Sequence, residues 1–300
     1  MGIRSFNGKD VFKVIALWND CLCLDRVSRE SFRSKVVLNQ QYDPDLCLVA
    51  EEGKDIVGFV FGVLHEKTGY LNVIFVEKGH RRRGIGTALF DAFSAAVRDK
   101  GGAILSVSWG PGAVIPGVDQ VGYPEALKFF AEKGFKEFET SMAMSRSLMN
   151  YKIPDEIRAL ESRLCEEGFV FQQLDEEHVL DLIEFLKREL PGWENDARGT
   201  MLRHPENLDY LLVVLKDGGV VGYCQMGIDG LIEHFGPFAV ARELRSKGIG
   251  PVLFHRCLEA MQAKGARNMW FMRSAGRSQS FYFRHGLKDT RRFSALSKNL

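Results

Sequence analysis

Arg81-Arg82-Arg83-Gly84-Ile85-Gly86 and Arg245-Ser246-Lys247-Gly248-Ile249-Gly250 have one form, Arg-x-x-Gly-x-Gly, and stand 164 residues apart in a chain of 300. The same offset relates Val76 to Val240, Lys100 to Lys264 and Gly101 to Gly265. A shared offset on both sides of the turn means that strand, turn and helix are duplicated as one block. So long a period exceeds that of solenoid repeats and predicts two tandem domains. We place them at residues 1–149 and 150–300, each large enough to bury its own core.

Working outward, residues 46–50 and 56–64 read as a hairpin closed by Glu52-Gly53-Lys54-Asp55, and Tyr70 to Val76 as a strand entering the first turn. Leu89, Phe93, Ala96 and Val97 then fall on one face of a helix that stops at Lys100-Gly101, before a strand from Ala103 to Ser108. In the second half, residues 211–215, a turn at 216–219 and residues 220–226 repeat the hairpin. A strand from Leu231 to Val240 follows, then a helix with Leu253, Cys257, Ala260 and Met261 on one face, ending at Lys264-Gly265. Residues 147–155 read as the join, because Pro154 precedes a charged helical stretch. Residues 109–124, rich in glycine and proline, have no counterpart and read as a long loop, with Asp119 and Tyr123 as polar contacts if it borders an acceptor cleft.

Composition narrows the class. A net charge of +1 with 26% charged and 45% hydrophobic residues describes an ordinary globular chain and argues against nucleic acid as the main partner. The six cysteines are dispersed without metal-ligand spacing and read mostly as buried reduced thiols, so no metal is expected. Met1 to Phe6 has no apolar signal core, and no uncharged stretch would span a bilayer. The expectation is a cytoplasmic protein that binds no membrane.

Where a strand ends and a helix begins, successive N–H groups lack intrahelical partners and the helix dipole adds positive potential, so an anion fits there. Glycines 84, 86, 248 and 250 let the backbone approach it, and Arg81 to Arg83, or Arg245 and Lys247, add charge-assisted bonds. A Rossmann turn needs glycine or alanine where Leu89 and Leu253 stand, and a Walker A loop needs Gly-Lys-Ser/Thr; neither is present. The competing structural reading is a basic helix N-terminus whose glycines serve packing only.

These residues resemble the GCN5-related N-acetyltransferases, whose signature is Arg/Gln-x-x-Gly-x-Gly/Ala at such a turn. A later element of that family, Ala-x-x-Phe-Tyr-x-x-x-Gly-Phe, has counterparts in residues 126–135 and 279–287. The resemblance implies an α/β fold of two tandem domains, each a mixed sheet splayed between its fourth and fifth strands and flanked by helices. It also implies acetyl-CoA as cofactor. Its pyrophosphate would sit on Arg81, Arg82, Arg83, Gly84, Ile85, Gly86 and Thr87, or on Arg245, Ser246, Lys247, Gly248, Ile249 and Gly250. Its pantetheine would pair with Ile74, Phe75 and Val76, or with Phe238, Ala239 and Val240. Pro237 fits a bulge at the splay, since proline cannot donate to a ladder.

The implied reaction moves acetyl to a primary amine of a small molecule by direct attack. A lysine-like amine of pKa about 10.4 gives up about 4.6 kcal/mol to lose its proton at pH 7, so a base is needed. The family's acid is the Tyr after Phe: Tyr282 in the second half, Phe130 in the first. Phenylalanine donates no proton, so the expectation is catalysis in the C-terminal half by Tyr282, with an oxyanion amide near Phe238 or Ala239. Glu233 is the candidate base, beside His234 or a water chain. The N-terminal half would then bind coenzyme A without turnover or give structural support. Against this, Pro251 replaces Thr87 and removes one phosphate-facing N–H. Three alternatives remain: catalysis in the N-terminal half, a non-catalytic acyl-CoA sensor or assembly module, and a nucleotide-binding α/β protein. Acceptor identity and oligomeric state are not written in these motifs.

Overall fold

The computed structural model describes residues 1–203 and 208–300, which form two units, Met1–Met142 with Arg291–Leu300 and Ala143–Thr290. The first carries β1 (Gly2–Ser5), α1 (Val11–Cys21), α2 (Arg29–Phe32), β2 (Cys47–Glu52), β3 (Asp55–His65), β4 (Thr68–Val76), α3 (Ile85–Asp99), β5 (Ile104–Val107), β6 (Val118–Asp119) and α4 (Pro124–Glu132). The division falls inside β7 (Lys136–Ser147). The second carries α5 (Asp155–Glu166), β8 (Phe169–Gln173), α6 (Val179–Glu189), α7 (Glu194–Arg203), β9 (Leu211–Lys216), β10 (Gly219–Met226), β11 (Phe235–Val240), α8 (Ile249–Ala263), β12 (Asn268–Ala275) and α9 (Arg277–Arg284).

In the first unit β1 to β4 pair antiparallel in sequence order, and β4 then pairs parallel with β5. Side chains alternate across this sheet. Val57 and Val60 face α3, while Phe59 and Phe61 face Trp18 of α1 and Phe32 of α2. The amphipathic stripe of α3 buries Leu89, Phe90, Phe93 and Val97, each contributing about 1.5–3 kcal/mol. In the second unit β8 to β11 pair antiparallel, and α8 buries Leu253, Cys257 and Met261. The predicted helix stops hold: Gly102 N–H returns to Val97 O at 2.9 Å and Ala266 N–H to Met261 O at 3.0 Å, the six-to-one bond of a glycine C-cap.

The splay is present in both copies. Parallel pairing of β4 with β5 ends at Tyr70 and Ser106. The matching bridge in the second unit joins His234 to Trp270, each at the repeat offset from its first-unit counterpart. Just past that point each inner strand carries an extra residue. Phe61 and Gly62 face Val73 and Leu71, leaving Asn72 over. Cys224 and Met226 face Phe238 and Phe235, so Gly236 and Pro237 together oppose Gln225 in a bulge of the kind expected at Pro237. The strand expected from Leu231 begins only at Phe235, because His234 N–H bonds Leu231 O at 2.8 Å and folds the preceding residues into a turn.

The organisation departs from an even division at residue 150. The last strand, β13 (Lys288–Asn299), leaves the second unit at Thr290 and finishes in the first. There it runs antiparallel to β5, with Leu296 opposite Val107 and Asn299 opposite Ile104. Phe293 and Ser294 of the same strand pair with Asp119 and Val118 in β6. A strand's apolar pattern shows that it is a strand without naming the sheet that receives it.

Candidate functional site

The two Arg/Gly turns are duplicated down to their backbone. Arg81 Nε donates to Val76 O at 3.0 Å, and Arg245 Nε to Val240 O at 3.0 Å, so each turn is closed by its first arginine onto the end of the preceding strand. Arg82 and Ser246 take φ values of 62° and 70°. Gly84 and Gly248, the N-caps of α3 and α8, take 81° and 96°, a left-handed conformation that costs other residues about 1–2 kcal/mol. Glycine is favoured there for that reason. Arg83 is engaged with Glu52 at 3.1 Å.

Their surroundings differ. Nothing lies within 4 Å of the position a side chain would take at Gly84, whereas at Gly248 the Leu160 side chain of α5 lies 2.9–3.4 Å away. The carboxylate of Glu189 also comes within 3.8 Å of Arg245 Nη2. The first turn thus faces open space and the second faces a leucine and an acid.

The first turn opens on a cavity of about 780 Å³. Its walls are the end of α1 with Cys21 to Cys23, β4 from Leu71 to Val76, the turn, and residues 115, 117–118 and 122–126, with Phe129 and Phe130 of α4. Of the residues expected to bind coenzyme A in this half, Ile74, Phe75, Val76, Arg81, Arg82, Gly84, Gly86 and Thr87 line it. Arg83 is held by Glu52, and Ile85 is buried in the core under α3.

In the second unit, three aliphatic cavity residues, Leu71, Ile74 and Val107, are replaced at the same offset by Phe235, Phe238 and Phe271. Phe238 stacks on Phe281 at 5.6 Å, and its ring edge lies 3.5 Å from the side-chain position of Gly250. Tyr282, the expected acid, is packed in this group, 4.6 Å from Phe271, 5.3 Å from Phe281 and 5.7 Å from Phe254 between ring centroids. Burial pushes its phenol well above the ordinary range, which weakens it as an acid. Glu233, the expected base, accepts the N–H groups of Arg267 and Asn268 at 3.1 Å each. Its neighbour His234 stacks on Trp270 at 4.1 Å. Tyr282 thus packs among aromatic rings, and the Glu233 carboxylate ties the start of β12. The other residues expected there separate by burial: Ala239, Val240 and Ile249 are buried, while Arg245, Ser246 and Lys247 are exposed.

Beneath the first cavity lies a charged network that the motifs did not point to. Arg291 Nη1 and Nη2 each reach the Asp25 carboxylate at 2.7 Å, and its Nε reaches Asp119 at 2.6 Å. Tyr123 donates its hydroxyl to Asp25 at 2.8 Å. Burial alone would raise the Asp119 carboxyl, but bonds from Gly122 N–H, Arg291 and Val121 N–H outweigh it and hold it below its usual value. Burial, then the Asp25 charge, pushes Tyr123 up. Asp119 and Tyr123 therefore anchor the 109–124 loop, and Tyr123 also borders the cavity. No spacing in the sequence links Asp25 to Arg291.

Among the described residues no cluster of His, Cys, Asp and Glu could hold a metal ion, and no helix is long and apolar enough to cross a membrane.

An acetyltransferase (GNAT) domain model matches residues 43–137 and 207–288, once in each repeat and over more than half of the chain. Acetyltransferase SG1711 of Sodalis glossinidius is 36% identical over 89 residues, covering 30% of this chain and 61% of that protein. Acetyltransferase ECA0875 of Pectobacterium atrosepticum is 38% identical over 89 residues, covering 30% and 62%. The chain thus spans about three-fifths of these relatives. Among solved structures, the GCN5-related glucosamine N-acetyltransferase region of a fungal multi-domain GH3 beta-N-acetylglucosaminidase superposes with a TM-score of 0.81 at 20% identity, over 99% of this chain and 38% of that one. A tandem GNAT protein from the clavulanic acid biosynthesis pathway superposes with 0.65 at 17% identity, over 99% and 98%. At these identities the structures speak for the fold alone.

Proposed function

This chain belongs to the acetyltransferase (GNAT) family, and on that premise we propose that it moves acetyl from acetyl-CoA to a primary amine of a small molecule, with the N-terminal unit holding the coenzyme and the acceptor. The observation that carries this reading is the contrast between the two clefts, one opening from Gly84 into a cavity and the other filled by Phe235, Phe238 and Phe271.

Bound acetyl-CoA supplies a thioester carbon at which the amine forms a C–N bond while the C–S bond breaks, the amine losing one proton and the thiolate gaining one. The chain's own part is mostly placement. The free N–H groups at the start of α3 and the exposed Arg82 face the end of the cavity where the pyrophosphate would lie. The stretch of β4 beyond Tyr70, released from β5, is available to pantetheine. A thiol of pKa about 8.5 leaves as thiolate near neutral pH without a strong acid, so Phe130 at the family's tyrosine position does not forbid turnover.

Calorimetric titration of acetyl-CoA into Gly84→Glu and Gly248→Glu tests the assignment. Both replace a left-handed glycine, so backbone strain is common to the two. We expect Gly84→Glu to lose binding and Gly248→Glu to keep one site per chain; the reverse result would move the site to the second unit. Thiol release is then followed with glucosamine, spermidine, tyramine and a short peptide amine. Phe130 favours one competing reading, a non-catalytic acyl-CoA binder, which predicts coenzyme binding without amine-dependent thiol release.

A further inference from the structure

Asn72 is the extra residue of the β4 bulge, where β4 parts from β5. It is 8% exposed and lines the first cavity. Its Nδ2 donates to Pro111 O at 3.0 Å, which fixes the amide orientation, since turning it over would set its oxygen against a carbonyl oxygen. Its Oδ1 is buried without a partner. A buried acceptor with no donor is uncommon in a folded chain and calls for an explanation. In the second unit the residue at the same offset is Gly236, which has no side chain to offer.

We infer that Asn72 Oδ1 is the group that receives an N–H of the acceptor amine and orients its lone pair toward the thioester; this rests on the reading of the N-terminal unit given above. Asn72 precedes Val76 by four residue steps of strand, on the order of 13 Å, so Asn72 stands at the far end of the cavity from the phosphate turn. That is the end an extended pantetheine arm would reach with its thiol. An acceptor-only oxygen in a cavity that Leu71, Ile115 and Val118 also line selects a ligand that brings an N–H donor and rejects a carboxylate or phosphate. An amide oxygen is too weak a base to take the proton. Its part is therefore positioning, and the proton leaves to solvent.

The test uses Asn72→Ala and Asn72→Asp in the full chain, with glucosamine, spermidine, tyramine and a peptide amine as acceptors. Readouts are coenzyme A affinity by calorimetry, thermal melting, and the separate KM values for amine and acetyl-CoA. For Asn72→Ala we expect amine KM to rise about tenfold, the loss of one hydrogen bond, with coenzyme A affinity unchanged within twofold. Asn72→Asp keeps an oxygen at the same place but sets its other oxygen against Pro111 O, so it is expected to melt lower than wild type and to recover amine KM in part. If Asn72→Ala weakened coenzyme A binding instead, the group would belong to the pantetheine path. If Asn72→Asp and Asn72→Ala melted alike and were equally impaired in amine KM, the oxygen facing the cavity would have no part and the loop anchor at Pro111 would be the whole role. Either result overturns the inference. A wild-type chain that bound no coenzyme A would sink the parent reading instead, whatever these variants did.

Discussion

Arg291 grips Asp25 from 266 residues away, with Nη1 and Nη2 each 2.7 Å from a carboxylate oxygen. The Asp25 side chain is 5% exposed and that of Arg291 20%, so the pair is largely shielded from solvent screening. Arg291 is also the first residue of the segment that returns to the first unit.

Replacing Arg291 with Met leaves the buried carboxylates of Asp25 and Asp119 without their cation. The expected cost is about 3–5 kcal/mol, read as a lower urea midpoint. Asp25→Asn combined with Arg291→Met should recover part of it. A loss below about 1 kcal/mol would mean that the network contributes no more than a surface pair.

Ile74→Phe places in the first cleft the residue that the second cleft has at Phe238. Acetyl-CoA binding is expected to weaken at least tenfold while melting temperature stays level or rises, because the new ring enters empty space rather than a packed core. Unchanged affinity would show that the coenzyme does not pass Ile74.

Tyr282→Phe should leave amine-dependent thiol release within about twofold of wild type. The ring is retained among Phe271, Phe254 and Phe281, and the hydroxyl is the only group lost. Abolished turnover in a folded variant would return the chemistry to the C-terminal half.

A pH dependence of stability follows from His255 and His285, joined Nε2 to Nδ1 at 2.9 Å, with the Tyr151 hydroxyl on His255 Nδ1. Burial, then the charges of His285 and Arg146, holds His255 down to about 3. Burial, then Arg284 and Arg146, lowers His285. Both folded-state values lie below the unfolded one near 6.5, so the unfolded chain binds more protons as pH falls and stability declines below about pH 6.5. His255 alone accounts for about 2 kcal/mol between pH 8 and pH 5. Denaturant titrations at the two values should show this slope, and His255→Gln should flatten it.

Much of the candidate site was legible from residues 70–101 alone. Strand, turn, glycine conformations and helix stop are local consequences of residues within a few positions of one another, and both copies form them alike. The inequality of the copies was half legible. Phe130 against Tyr282 pointed one way, yet the substitutions at Leu71, Ile74 and Val107 sit on strands where any apolar residue satisfies the pattern. Phenylalanine and isoleucine read alike in a periodicity and differ only in the space they fill.

By itself the sequence determined the duplication and the paired Arg/Gly strand-to-helix turns, because an exact offset and a short-range pattern specify them without reference to distant residues; the splayed α/β architecture was what the family resemblance implied. Tertiary structure alone decided which cleft is open, which sheet receives β13, and that Asn72 keeps an oxygen without a donor. Each of these is a property of side chains far apart in sequence that compete for one volume, and volume is settled only when all of them are packed.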